Sequence, residues 1–323
     1  MSKSVRARRL AIGLSSAALM TALAACGGSN GEASAEDGGS AVSGEVLSDG
    51  SSTVQPLTAA AGELFAEEQP EVNVSVGTSG TGGGFEVFCK GTTDISNASR
   101  PIKDEEAALC KENGVGYTEL RVATDALTVV VAKDNDFVKC LTTAELKTLW
   151  SPEAENKVTT WNQVNPDFPN EKIELYGPGT DSGTFDYFTD EINGEEGASR
   201  TDYNASEDDN VIVTGVEGSK DAVGYFGFSY FEENEDKLKA VDIDSGDGCV
   251  APSAEAAQDG TYTPLARPLF IYVNNKSATD KKQVKAFVDF YSKNSGDISE
   301  AAKFIPLNEE QVKELQEAAK TLG

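Results

Sequence analysis

The chain has 323 residues, with 27 Lys and Arg against 54 Asp and Glu, and no His. A chain this long buries a large core and has room for two domains. The acidic balance argues against a nucleic-acid partner, which needs basic patches, and the absence of His rules out a Ser-His-Asp triad and removes the commonest metal ligand.

Lys3, Arg6, Arg8 and Arg9 form a positive start, followed by an apolar run, Leu10–Ala25, too short for a comfortable membrane span. Leu23-Ala24-Ala25-Cys26 resembles a bacterial lipobox. The resemblance implies that residues 1–25 are a signal peptide, cleaved before Cys26, whose thiol is lipidated. Removing four basic residues leaves 27 − 4 = 23 basic against 54 acidic, a net charge of −31. An anion bound by this chain must be held by local donors against that long-range field. Residues 26–44, rich in Gly, Ser, Ala, Asp and Glu, read as a flexible tether with almost nothing to bury.

Folding begins with a short strand near Glu45-Val46-Leu47. Gly50-Ser51-Ser52-Thr53 follows, then a helix with Leu57, Ala61, Leu64 and Phe65 on one face. Val72–Val76 alternates as a strand and runs into Gly77–Phe85, where four of five residues from Gly80 to Gly84 are Gly. That density is costly in chain entropy, and close backbone approach to a ligand would account for it. No Gly-Lys-Ser/Thr follows, so this is not a Walker loop.

Thr93–Pro101 reads as a strand ending in a polar turn. Arg100 precedes Pro101, where the backbone is steered out of the helical region, and Pro101 is expected to begin a helix with Asp104, Glu105 and Glu106 in its first turn. Leu127–Lys133 is the continuous apolar run of a strand buried on both faces, with Asp125 just ahead of it. Thr142 or Thr143 caps a helix over Ala144–Trp150. Ile173–Tyr176 is a strand feeding Gly177-Pro178-Gly179-Thr180-Asp181-Ser182-Gly183-Thr184. That turn opens a helix with Phe185, Phe188 and Ile192 on one face. Ser199–Asn210 reads as an exposed loop, and Ala222–Tyr230 as a core strand and turn. Arg267–Val273 is another buried strand, and two amphipathic helices carrying Val284, Phe287, Val288, Tyr291 and Val312, Leu315, Leu322 close the chain. Strands alternating with helices indicate α/β architecture.

Cys26 aside, Cys89, Cys110, Cys140 and Cys249 remain, an even number that reads as two disulfides in an exported protein. Of the three pairings, Cys89–Cys110 (local) and Cys140–Cys249 (long-range) are favoured. Their spacings exclude a CxxC metal site, and no motif calls for a metal or another cofactor.

A Gly/Ser/Thr turn at a helix start is commonly only a cap, but it is also an anion seat, because free N–H groups and the positive end of the helix dipole point outward. Three such turns occur here. GSSTVQPL, VGTSGTGGGFEVF, TDISNASRPI, YGPGTDSGTF and RPLFIYV together resemble the phosphate-binding proteins of bacterial phosphate ABC transporters, in matching order along residues 45–323.

The resemblance implies an α/β, two-lobed type II periplasmic-binding-protein fold. Residues 45–126 plus 262–323 would form one lobe, 134–255 the other, with 127–133 and 256–273 as the hinge region. It implies inorganic phosphate as ligand, the transmembrane subunits of an ABC permease as partner, and a monomer lipid-anchored to the outer face of the cytoplasmic membrane of a Gram-positive bacterium. It places phosphate contacts at Ser52, Thr53, Val54, Ser79, Ser182, Gly183 and Thr184, with Thr81 as a further candidate.

The chain departs from the family pattern at its charged ligands. Familiar members carry Asp where this chain has Arg100, and Arg where it has Pro178. The expectation is that the two roles have traded lobes, with Arg100 as the cation and Asp181, or alternatively Asp125, as the carboxylate. Arg offers a donor fork to two phosphate oxygens. An ionised carboxylate only accepts, so it needs the proton that phosphate keeps near neutral pH and sulfate lacks. The competing readings are a receptor for another oxyanion such as sulfate or molybdate, an adhesion or sensor protein reusing the fold, and a secreted phosphatase using Ser79 or Ser182, for which no general base is evident.

Overall fold

The structure is a computed structural model that describes residues 42–322. The expected signal peptide, Cys26 and all but the end of the expected tether lie outside the described residues.

Among the described residues twelve strands form: β1 (Gly44–Gly50), β2 (Val72–Val76), β3 (Ile95–Ala98), β4 (Tyr117–Ala132), β5 (Cys140–Thr142), β6 (Glu174–Gly177), β7 (Asn204–Ala205), β8 (Ala222–Gly227), β9 (Leu238–Ala240), β10 (Asp242–Asp244), β11 (Cys249–Val250) and β12 (Ala266–Asn274). The main sheet runs β2-β1-β3-β12-β4-β8-β6-β7, with β9 also on β4, and β11-β10-β5 form a small second sheet. Six helices matter for the site: α1 (Gln55–Glu68), α2 (Gly80–Phe88), α3 (Asp104–Glu112), α4 (Thr143–Trp150), α5 (Gly183–Phe188) and α6 (Asp209–Glu217).

β4 organises the molecule. Its first part, Tyr117–Ala126, pairs antiparallel with β12, and from Leu127 to Val131 it pairs with β8 instead. The buried stretch expected at Leu127–Lys133 is therefore the end of a much longer strand that stops at Ala132, since continuous burial already begins at Val122 and takes in Asp125, while Glu119 is exposed and Arg121 half-buried. The two largest hydrophobic cores lie on either side of the change of partner. One packs Val46, Leu57, Phe65, Leu120, Ile271 and Phe287 with the C-terminal helices. The other packs Leu127, Val129, Trp150, Phe188, Val223 and Tyr225. In the second core Phe188 stacks on Tyr225 with ring centroids 3.9 Å apart.

Cys89–Cys110 ties the end of α2 to α3, and Cys140–Cys249 ties β5 to β11, the pairing favoured from the sequence. Three details differ from the expectation. The helix after Pro101 starts at Asp104, because Lys103 is extended and serves as N-cap while Glu106 reaches back to its N–H. Ser199–Asn210 is not wholly exposed. Arg200 is 3% exposed, donating to the carbonyls of Leu149 and Val158 and to both oxygens of Asp202, and Asn204–Ala205 pairs with β6. Arg200 is buried because its guanidinium finds four acceptors. After β8 the chain forms a short helix, Phe228–Glu232, rather than a turn.

Candidate anion-binding cleft

A cleft of about 490 Å³ opens where the turns after β1, β2, β3 and β6 converge with the start of β12. Each wall has a local cause. β1 ends at Gly50 with φ +138°, and a Cβ there would lie 2.2 Å from the Asn97 carbonyl, so only Gly lets the chain turn into Ser51-Ser52-Thr53. The next turn is fixed by Asp49, whose carboxylate accepts from the N–H groups of Gly50 (2.8 Å) and Ser79 (3.0 Å).

Ser79 precedes α2, but its hydroxyl makes no cap bond. Thr81 Oγ1 lies 3.1 Å from Ser99 Oγ. The glycine cluster has two uses. Gly80, Gly82 and Gly83 line the cleft, whereas Gly84 packs on β1, where a Cβ would lie 2.4 Å from Gly50 Cα. Part of the glycine density is therefore helix-on-strand packing.

From the far wall, Ser182 caps α5 by accepting from Thr184 N–H at 3.2 Å. A Cβ on Gly183 would stand 2.9 Å from Thr53 Oγ1, so the first and third turns face each other closely. α5 then widens into a π-turn over Thr189–Asn193. Asp186, Asp190, Glu191 and Glu196 put carboxylates on this wall. Burial, then neighbouring Glu196, pushes the Asp186 carboxyl up, and burial with Asp190 does the same to Glu191.

Three cations, Arg100, Lys103 and Arg267, line the cleft. The Arg100 guanidinium grips Glu106 in a two-bond fork at 2.9 and 2.8 Å. The cation opposite the third turn is Arg267, on β12 beside Asp125 of β4. Its Nε donates to Asp125 Oδ2 at 3.2 Å and its Nη2 to Thr53 Oγ1 at 2.9 Å. Its guanidinium carbon lies over the Tyr187 ring, 3.7 Å from the centroid. Asp125 is 6% exposed. Burial raises its carboxyl above the usual range, and Arg267 offsets part of that rise.

Thus the structure brings Ser52, Thr53, Ser79, Thr81, Arg100 and Gly183 together on one cleft. Val54 is buried directly beneath it as the first residue before α1. Thr184 and Asp125 share the wall of a smaller adjoining cavity of about 180 Å³. Asp181 is exposed and does not line either cavity, and its backbone N–H points to Glu207 Oε1 at 3.4 Å.

Arg267, Asp186 and Tyr187 also line the cleft and were not singled out from the sequence. Arg267 did carry a signal, since it precedes Pro268 as Arg100 precedes Pro101, and both Arg-Pro pairs end in the same cleft. Among the described residues, no group of three or more His, Cys, Asp or Glu is placed to hold a metal ion. In chemical terms the site offers hydroxyls, N–H groups of turns and an Arg fork to an oxyanion, with a carboxylate wall opposite.

Residues 35–294 match the family model of the PBP superfamily domain. Protein SphX of Synechocystis is 51% identical over 261 residues, covering 81% of this chain and 78% of that protein. The phosphate-binding protein PstS of Staphylococcus saprophyticus is 43% identical over 295 residues, covering 91% of this chain and 88% of its own. Among solved structures, a possible phosphate binding protein from Planctomyces limnophilus superposes with a TM-score of 0.82 at 42% identity, over 87% of this chain and 99% of that one. An ABC-type phosphate transport receptor from Vibrio cholerae shares the fold, with a TM-score of 0.64 at 22% identity over 81% of this chain and 99% of its own.

Proposed function

The chain belongs to the PstS family of phosphate-binding proteins within the PBP superfamily, and from that premise we propose that it captures inorganic phosphate in this cleft and delivers it to an ABC permease. The observation that carries the assignment of the site is the meeting of three hydroxyl-bearing turns around Arg267. Thr53 stands against Gly183 from the opposite wall, and Arg267 is held by Asp125 and Thr53 with part of its donor fork left over.

Phosphate oxygens are received by the turn Ser52–Val54, by the hydroxyls of Ser79, Thr81 and Thr184 and by the N–H of Gly183, while Ser182 closes the third turn by accepting from Thr184 N–H. Arg267 supplies the cation, and Arg100, docked on Glu106, is a secondary one. Asp186 takes the role of the carboxylate that accepts the phosphate proton, because it faces the cleft with no partner of its own among the described residues. Asp181 lies outside the wall, and Asp125 serves by holding Arg267. The protein binds and releases its ligand without transforming it.

We assign residues 45–126 with 262–323 to one lobe and 134–255 to the other, joined through 127–133 and 256–273. The two cores that part at Ala126 and Leu127 support this division. The lipobox at Leu23–Cys26 supports export and lipid anchoring to the outer face of the cytoplasmic membrane of a Gram-positive cell, with the receptor acting as a monomer.

The test is isothermal titration of residues 42–323, stripped of anion by unfolding and refolding, with phosphate, sulfate and molybdate separately at neutral pH. One-to-one phosphate binding without sulfate heat is expected. Sulfate binding would overturn the ligand, and no heat with any anion would overturn the site.

A further inference from the structure

Tyr187 sits on α5 three residues beyond Thr184, packed in the second core and 3% exposed. Its hydroxyl donates to the Pro264 carbonyl at 2.5 Å. Pro264 lies just ahead of β12, the strand that presents Arg267. The ring is therefore tied at its far end to the connection entering β12 and carries on its face the side chain that β12 delivers.

At 3.7 Å from guanidinium carbon to ring centroid, the guanidinium packs against the face of the ring, because a nitrogen pointed straight at the ring would be driven into it. A guanidinium has five N–H bonds, all in its own plane. One on Nε goes to Asp125 and one on Nη2 to Thr53. The other N–H of Nη2 and both of Nη1 have no protein acceptor among the described residues. The ring covers one face and leaves this outer fork at the edge of a residue that lines the cleft. An aromatic face also attracts the cation and replaces water on that side.

We propose that Tyr187 is a positioning residue for anion capture: its ring holds the Arg267 guanidinium in the plane that aims the free N–H fork into the cleft. The inference rests on the phosphate-receptor reading above. Because Tyr187 belongs to the second core and Arg267 to a strand of the first, the contact also ties presentation of the cation to the approach of the two walls.

A double-mutant cycle tests this. Phosphate is titrated into wild type, Tyr187→Phe, Tyr187→Met, Arg267→Lys and Arg267→Lys/Tyr187→Met, by calorimetry or, for weak variants, by ³¹P NMR. Tyr187→Met stays apolar and flexible enough to fill part of the space but removes the aromatic face, and should weaken phosphate binding by about 10-fold. Tyr187→Phe keeps the ring and loses the Pro264 bond, so its loss should be smaller, about 3-fold. Lys has no flat face to stack, so in the Arg267→Lys background the Tyr187→Met change should cost less than about 3-fold.

An equal loss in both backgrounds, or equal losses for Phe and Met, would make Tyr187 ordinary packing and overturn the proposal. Near-ultraviolet circular dichroism checks folding, and Tyr187→Leu replaces any Met variant that fails it. Absence of phosphate binding by wild type would instead overturn the receptor reading, so the two failures are told apart by the first titration.

Discussion

Replacing Arg267 by Gln removes the cleft's best-placed cation, and the structure allows the consequences for binding and for stability to be worked separately. The free edge of the guanidinium can give two charge-assisted hydrogen bonds to phosphate, each worth about 1.5–3 kcal/mol. Losing both should weaken binding by roughly 10²–10⁴-fold. The same substitution strands Asp125, whose side chain is 8% exposed against 17% for Arg267. Breaking a buried pair from one side costs about 3–5 kcal/mol unless the orphan takes a proton. Arg267→Gln should therefore lose both affinity and melting temperature. Adding Asp125→Asn should restore much of the stability and none of the affinity. Arg100→Gln removes a more exposed side chain already satisfied by Glu106, and should weaken phosphate by less than about 10-fold. The assay is phosphate calorimetry alongside thermal melts of the phosphate-free proteins. A larger affinity loss for Arg100→Gln than for Arg267→Gln, or recovery of binding in the Arg267→Gln/Asp125→Asn double variant, would refute the assignment of Arg267 as the cation.

Asp186→Asn should admit sulfate in competition titrations while Asp181→Asn leaves the phosphate preference intact, and the reverse pattern would return the proton-reading role to Asp181. Burial, helped by Asp208 and Glu207, pushes the Asp209 carboxyl up to about 6. Because this pKa is raised above the unfolded value of about 3.9, the folded state holds the proton more tightly, and the group's contribution to stability falls as pH rises from about 4 through 6. Asp209→Asn should accordingly raise the melting temperature at pH 8 and do so less at pH 4.5; a gain independent of pH would refute the cause. Removing the Cys140–Cys249 bridge, which closes a span of 109 residues, should lower unfolding stability by about 4–5 kcal/mol on the chain-entropy model, read by denaturant melts with and without reductant.

The fold was largely legible because its signals are local. Val72–Val76 alternates, Leu127–Val131 is uniformly apolar, and both closing helices carry an apolar stripe. The hydroxyl turns were legible for the same reason, since each is a Gly/Ser/Thr run at a strand-to-helix junction. The charged residues were harder. Arg100 and Asp181 lie beside the turns in sequence, and adjacency drew the roles to them. Arg267 reaches the cleft only because β12 and β4 pair in a register that sets it beside Asp125, 142 positions earlier, and no short-range pattern encodes that register. Asp186 was hidden by its own helix, where a single acidic residue in the first turn reads as a dipole partner. Arg200 shows the same limit in reverse, since its acceptors on Leu149 and Val158 are 51 and 42 residues away.

β4 runs unbroken through the change of neighbour at Ala126 and Leu127. Any opening of the cleft must therefore flex a continuous strand rather than unfold a linker, and it behaves as a leaf spring clamped at both ends. Its amides remain bonded to β12 on one side of the bend and to β8 on the other however wide the mouth stands. Ligand loss should then leave hydrogen exchange across Tyr117–Ala132 slow while the turns at the mouth speed up. The Asp125–Arg267 pair sits within two residues of the change of neighbour, so a small twist of the spring there would re-aim Arg267.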